Sequence, residues 1–336
     1  IQCGRYWNCV WRNRFGLQHD HCKARNFRRI RIVLIETIPA ALHEQRLDRV
    51  VALIADISRA STATLIELGG VTLDGVAGVA GKVKVKEGQE VTINTSMIPE
   101  KELPQGDASV VLDVVYADDD VIVVNKAPGI VVHPGAGNPN GTLVNGILAL
   151  YPEVASVGDQ LRPGVVHRLD AGTSGLMVVA RSQVAYDSLV DALTRRDVTR
   201  VYVALVWGHP EVATGLIDAP IGRDQRDPTK MAVVIDGKFA RTHYDVLKKF
   251  EQPQPCSLVE CQLETGRTHQ IRVHLDSIGH PVVGDSTYGG ARSSLSSPRP
   301  MLHAAKLSFA HPTTGEVMTF EAPVPEDMQA VVNRCE

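Results

Sequence analysis

From residue 110 onward the chain is written in short β-branched runs that do not alternate regularly with helical ones. That pattern constrains the fold more than any other feature. Val110–Tyr116, Val121–Asn125, Ile130–His133, Leu176–Ala180, Val201–Trp207, Thr242–Leu247, Leu258–Glu264 and His269–Leu275 read as strands with turn residues between them. Helical spacing occurs at Leu143–Tyr151 and Val184–Arg195. A doubly wound parallel sheet would need a helix after most strands, so the pattern predicts an α+β domain over 110–330 with a mixed, largely antiparallel sheet.

A smaller module precedes it. Leu47, Val50, Val51, Ile54 and Ile57 recur at helical spacing, Ser58 is placed to cap a second helix with Ala63, Leu65, Ile66 and Leu68, and Gly69-Gly70 stops it. Short strands are then expected at 71–73, 83–85 and 91–93, the first followed by the turn pair Asp74-Gly75. This small α/β module spans 46–95. A linker at 96–109 contains the Pro- and Gly-bearing stretch Pro99–Asp107.

Charge is divided unevenly. Residues 1–32 hold eight Arg or Lys against Asp20 alone, a net +7 in a chain of −3, so the remainder is −10 and any basic surface there must be local. The segment has no apolar core of a secretory signal, and its Cys3, Cys9, His19, His21 and Cys22 lack the C-x2-C pairing of a zinc site. With Met97 the first methionine, the expectation is a structureless tail, translation starting near Val33. No run approaches the roughly 18 apolar residues of a membrane span. Six unevenly placed cysteines in 336 residues do not make a disulfide framework, which points to a reducing cytoplasm. There is no P-loop and no G-x-G-x-x-G, so nucleotide cofactors are not expected.

Chemistry could sit in three segments. In Pro163–Leu176 an apolar run ends in a loop that presents Asp170 among Gly172, Thr173, Ser174 and Gly175; on composition alone, an Asp that only caps its own turn is the favoured explanation. In Leu263–His274, read as a strand from Thr268, Gln270, Arg272 and His274 share one face, and His269 and His274 point to opposite faces, which argues against a metal. Asn125–Gly135 is a Pro-Gly turn between two runs, with nothing that demands catalysis.

Together these segments resemble the RluA/RluD family of RNA pseudouridine synthases over nearly all of 46–330. His167-Arg168-Leu169-Asp170 followed by Gly172-Thr173-Ser174-Gly175-Leu176 matches the family's H-R-L-D-x-x-T-S/T-G-L. Asn125–Pro134 matches N-K-P-x-G-x-x-V-H-P apart from Ala127-Pro128, where many members have the proline first. Arg200-x-Tyr202, Gly266–His274, Gly284-Asp285 with Tyr288-Gly289, and Leu302-His303-Ala304 match further motifs in the family's order. The 46–95 module resembles an S4 RNA-binding domain through Arg46-Leu47-Asp48, Ser58-Arg59-Ala60 and Val71–Gly75.

The resemblance implies a cofactor-free, metal-free isomerase that turns uridine into pseudouridine. The N1–C1′ bond breaks and the base rejoins through C5, with Asp170 as the nucleophile that splits the reaction into easier steps. It also implies that Arg272 pairs with Asp170, that Tyr202 packs on the base and takes part in removing the C5 proton, and that Arg168 fills the gap left by an extruded uridine. Ile271 would wall the base, and His167, Lys126, Arg200, Arg267 and Lys306 would contact substrate or RNA phosphates. The expected partner is ribosomal RNA of the large subunit, free or in a pre-ribosomal particle, with transfer RNA as the alternative. The protein is expected to be a monomer with no membrane partner. A non-catalytic assembly factor or an Asp-dependent hydrolase are the readings from other classes.

Overall fold

The computed structural model describes residues 33–99, 102–135 and 137–336. The tail with its Cys and His group, residues 1–32, lies outside the described residues. The chain divides into two compact units between residues 101 and 102.

In the first unit, β1 (Val33–Thr37), α1 (Leu47–Ile54), α2 (Arg59–Glu67), β2 (Val71–Leu73), β3 (Val76–Ala77) and β4 (Glu90–Asn94) follow one another. The strands form an antiparallel sheet in the order β1-β4-β2-β3. Leu47, Val50 and Val51 of α1 and Leu65 of α2 are buried with Val71, Val91 and Ile93 of the sheet. Ser58 caps α2 as expected, its Oγ accepting from the Ser61 amide at 3.1 Å. Asp74 and Gly75 both have positive φ, the geometry of a tight two-residue hairpin between β2 and β3. Two expectations are corrected. The unit begins before Arg46, because β1 pairs along β4. Val33 and Ile35 of that edge strand are exposed, so no one-sided burial pattern marks it. Residues 83–85 are not a strand; Val83 and Val85 instead bond the backbone of Leu47 and Gln45, tying the loop to the start of α1.

In the second unit the elements are β5 (Asp113–Ala117), β6 (Val121–Lys126), α3 (Leu143–Leu150), β7 (Ser174–Ala180), α4 (Gln183–Arg195), β8 (Thr199–Trp207), β9 (Thr214–Asp218), β10 (Ile221–Arg223), β11 (Met231–Val233), β12 (Arg241–Phe250), β13 (Cys256–Leu263), α5 (Gln270–Ser277), β14 (Leu302–Ala310), β15 (Val317–Glu321) and α6 (Glu326–Val332). One nine-stranded sheet runs β5-β6-β7-β14-β8-β13-β12-β9, with β15 on the distal half of β14. Only β7 and β14 are parallel, so the sheet is mixed and largely antiparallel, as the strand-rich pattern requires. Strands β6 and β7 are buried on both sides. Ile122, Val124, Met177 and Val179 pack with Leu143 and Ile147 of α3, while Val121, Val123, Leu176 and Val178 pack in a second core with Ala185 and Leu189 of α4. Ile271 and Leu275 of α5 join the first core.

Two predicted strands are absent. Ile130–His133 gives its carbonyls to a helix: Val131 and Val132 accept from the Leu143 and Val144 amides, satisfying donors that the first turn of α3 cannot satisfy internally. His269–Leu275 is largely α5. Its polar alternation is misleading because all six residues from Gln270 to Leu275 are buried, so polarity there marks specific partners rather than a wet face. Gln270 accepts from the Arg267 amide and the Thr265 hydroxyl and donates to the Arg241 carbonyl, and His274 contacts Thr242 and the Ala219 carbonyl. Strands β14 and β15 lie outside the predicted set, the central Ala304-Ala305 diluting any strand signal.

Where β7 meets β14, Gly175 has φ 113°, and a Cβ on it would press into the Ala304 backbone. Gly175→Ala should therefore cost about 3 kcal/mol, from strain and overpacking together, read as a lowered midpoint in thermal or urea unfolding.

Candidate active site

The run that leads to the loop is held to the sheet by a bridge between Val165 and Val179. The chain then turns at Asp170, whose carbonyl accepts from the Thr173 amide at 3.0 Å, and re-enters the sheet as β7. The turn is gripped from outside as well. The Ala171 carbonyl accepts from the Gly129 amide and the Lys126 ammonium, and the Gly172 carbonyl from the Arg299 guanidinium. Arg299 is in turn paired through two nitrogens with Asp327 of α6.

The Asp170 carboxylate faces a cleft of about 530 Å³. Its Oδ2 accepts from Arg272 Nη1 at 3.0 Å, and His269 Nε2 lies 3.9 Å from Oδ1. Arg272 is itself fixed by Asp285, donating from Nε at 2.6 Å and from Nη2 at 2.9 Å, and the Asp285 carboxylate also accepts from the Thr287 and Tyr288 amides. The Tyr288 ring lies 5.0 Å from the Arg272 guanidinium. Burial opposes the Arg272 charge, but its bonds to Asp285 and the charges of Asp170 and Asp285 prevail and raise its pKa. The turn of α5 makes this possible. His269 sits in the left-handed region at φ 56° as the residue before the helix, with its Nδ1 2.8 Å from the Tyr288 hydroxyl, and Arg272 follows within the first turn.

Eight of the ten residues singled out from the sequence line this one cleft: His167, Arg168, Asp170, Arg200, Tyr202, Arg267, Ile271 and Arg272. Arg168 and Arg267 are exposed at it, the latter donating to the Phe239 carbonyl. Ile271 and Tyr202 are buried with Leu302, Leu263 and Leu169, giving the cleft an apolar wall. Burial pushes the Tyr202 phenol up to about 12, the Arg200 charge opposing the shift and the Asp170 charge adding to it. His167 also pins the loop, its Nε2 accepting from the Val178 amide of β7.

Two residues are placed differently from expectation. Lys126 is 2 % exposed, and its ammonium donates to the carbonyls of Ala127, Ile130 and Ala171. It is spent on the loop backbone and has no donor free for a phosphate. Lys306 is paired with Glu321 across β14 and β15 and does not line the cleft. Sequence reasoning places Asp285 and Tyr288 within a motif but gives them no role, and it misses Arg162 and Arg196, which also line the cleft.

A family model described as RNA pseudouridylate synthase matches residues 120–277. The chain is 45 % identical over 297 residues to the "uncharacterized RNA pseudouridine synthase YlyB" of Bacillus subtilis, spanning 87 % of this chain and 95 % of that one. It is 43 % identical over 313 residues to the ribosomal large subunit pseudouridine synthase D of Vibrio parahaemolyticus, spanning 89 % and 94 %. Among solved structures, human RNA pseudouridylate synthase domain containing 1 aligns with a TM-score of 0.52 at 31 % identity, over 65 % of this chain and 86 % of that one. The fold and the relatives are those of an isomerase that acts on RNA. The chain belongs to the RNA pseudouridylate synthase family.

Burial, with the Arg200 charge, holds the His167 imidazole down to about 3, and only the neutral ring can accept from Val178. A folded pKa below the ordinary 6.5 means that this group's contribution to stability is full above about pH 6.5 and is lost as pH falls toward 3. Urea midpoints of the wild type and His167→Gln should thus differ most near about pH 7 and converge as pH falls to about 3.

Proposed function

We propose that this chain converts particular uridines of large-subunit ribosomal RNA to pseudouridine, with Asp170 as the nucleophile. The observation that carries the reading is the carboxylate of Asp170 held at 3.0 Å by an arginine already locked on Asp285. A carboxylate that is positioned, paired on one oxygen and open to the cleft through the other is what a covalent step at a nucleoside needs. An extruded uridine would lie against Tyr202 and Ile271, since its glycosidic bond cannot be reached while the base is stacked in a helix. Arg272 holds the nucleophile, and Tyr202 is the group suited to the base and its C5 proton.

Target class rests on the large-subunit relatives, such as the synthase D of Vibrio parahaemolyticus. Phosphate contacts fall to Arg168 and Arg267, joined by Arg162 and Arg196, which form a cationic rim in a chain that is net acidic. Arg168 is the residue that would fill the space vacated by the flipped uridine. The first unit, with its helix pair and small sheet, serves as an S4-type RNA-binding module. The buried free thiols Cys256, Cys261 and Cys335 suit a monomer working in a reducing cytoplasm.

Incubating the protein with unmodified ribosomal and transfer RNA transcripts and mapping pseudouridine by carbodiimide-stop sequencing tests this. Stops should arise in large-subunit RNA and vanish with Asp170→Asn, which removes the nucleophile but should leave RNA affinity within a few-fold; comparable residual turnover in that variant would refute the assignment. Stops confined to transfer RNA would move the target class. Deleting residues 33–100 should weaken binding or relax target choice more than it slows turnover of a short substrate, as read by parallel affinity and single-turnover measurements.

A further inference from the structure

Arg200 is the one cation of the cleft whose placement the loop, the rim and the Asp170 pair leave unexplained. It is 6 % exposed, yet its Nε is buried without a hydrogen-bond partner, and among the described residues no carboxylate pairs with it. An uncompensated buried charge is expensive, and a protein that needed only packing there would gain by an apolar residue. Arg200 and Tyr202 stand two apart on β8, so their side chains share a face, and both line the cleft with Asp170. Gly266 leaves the room it occupies: a Cβ there would come within 2.8 Å of Arg200 Nη1. The rim arginines differ in kind, since Arg168 and Arg196 are exposed and Arg196 is paired with Glu264.

We infer that Arg200 is a catalytic residue that donates hydrogen bonds to a carbonyl oxygen of the target uracil and stabilises the anion the base becomes when it leaves the ribose. The inference rests on the reading of Asp170 as nucleophile. As an Asp170 oxygen bonds to C1′, the N1–C1′ bond breaks and its electron pair passes to the base, spread over N1, O2 and O4. When the base rejoins, the C5–C1′ bond forms, Asp170 is released as carboxylate, and the proton lost from C5 is balanced by one gained at N1. No oxidant, reductant or second substrate enters. Throughout the first half the charge that grows is negative and lies on the base, beside Tyr202. A guanidinium without an acceptor of its own, already stripped of water, strengthens its interaction as that charge develops and needs no reorganisation.

The test compares Arg200→Met and Arg200→Lys with the wild type in single turnover, enzyme in excess, on one short RNA carrying uridine or 5-fluorouridine at the target. The readout is loss of the starting nucleoside, which follows glycosidic cleavage and does not require removal of a C5 proton. Fluorine makes uracil a better leaving group that relies less on a donor. Arg200→Met should slow uridine consumption by about 10²-fold with little change in RNA affinity. The loss on 5-fluorouridine should be smaller by about tenfold, and Arg200→Lys should recover part of the uridine rate. Because a buried unpaired charge is removed, Arg200→Met should also unfold at a temperature no lower than the wild type. Equal losses on the two substrates would overturn the inference. So would a loss confined to affinity with a flatter salt dependence, which would make Arg200 a phosphate contact. A lowered unfolding temperature with no kinetic rescue by lysine would overturn it in favour of a structural role. Since only Asp170→Asn tests the nucleophile, the two readings fail separately.

Discussion

Everything in the catalytic half is arranged around the line Asp285–Arg272–Asp170. Removing two ions from water is costly, and the attraction between them offsets that only when the remaining lone pairs and donors are satisfied. Here they are: Asp285 accepts from two nitrogens of Arg272 and from two backbone amides. The arginine is thereby fixed in direction, and its remaining Nη1 reaches a carboxylate on a loop 102 residues away in sequence. Breaking such a buried pair by removing one partner costs about 3–5 kcal/mol, so the line that aims the Asp170 carboxylate is also among the main ties between α5, the 285–288 turn and the loop that carries Asp170.

The same loop is held by its peptide groups. Carbonyls of Asp170, Ala171 and Gly172 each have a donor, and two of these donors are buried cations, Lys126 and Arg299, that reach in from β6 and from the segment before β14. Cations on main-chain carbonyls fix the backbone without occupying the carboxylate, which stays open to the cleft. Burial, with the Arg299 charge, lowers Lys126 to about 8, the mark of an ammonium kept dry for this purpose. Three kinds of buried cation therefore coexist within one site: Lys126 and Arg299 on loop carbonyls, Arg299 with Asp327 as well, Arg272 between two carboxylates, and Arg200 with no acceptor among the described residues. The first two kinds are satisfied and structural. The third leaves its donors for a ligand.

Much of this is legible in the order of the amino acids. The α+β class follows from short β-branched runs that do not alternate with helices, and the caps and turns at Ser58 and Asp74-Gly75 follow from local hydrogen-bonding chemistry. The motif resemblance places Asp170, Arg272, Tyr202 and Ile271 in one site. Polarity taken as exposure is what misleads. Gln270, Arg272 and His274 alternate like the wet face of a strand, although each is buried in α5 with a dedicated partner. Lys126 has the look of a phosphate ligand because a lysine in a glycine-rich stretch is usually solvated, yet it is buried on backbone carbonyls.

The sequence by itself therefore determined what is local or repeated along the chain: strand and helix content, turns, the carboxylate on its tight loop, and membership of a family by ordered motifs. Only the tertiary structure decided which charges meet. Pairing of Arg272 with Asp285, of Arg299 with Gly172 and Asp327, and the absence of any such partner for Arg200 among the described residues depend on contacts between segments far apart in sequence. An ion's role is set by what remains around it once water is excluded. That environment exists only when the sheet has brought β7, β8 and β14 together.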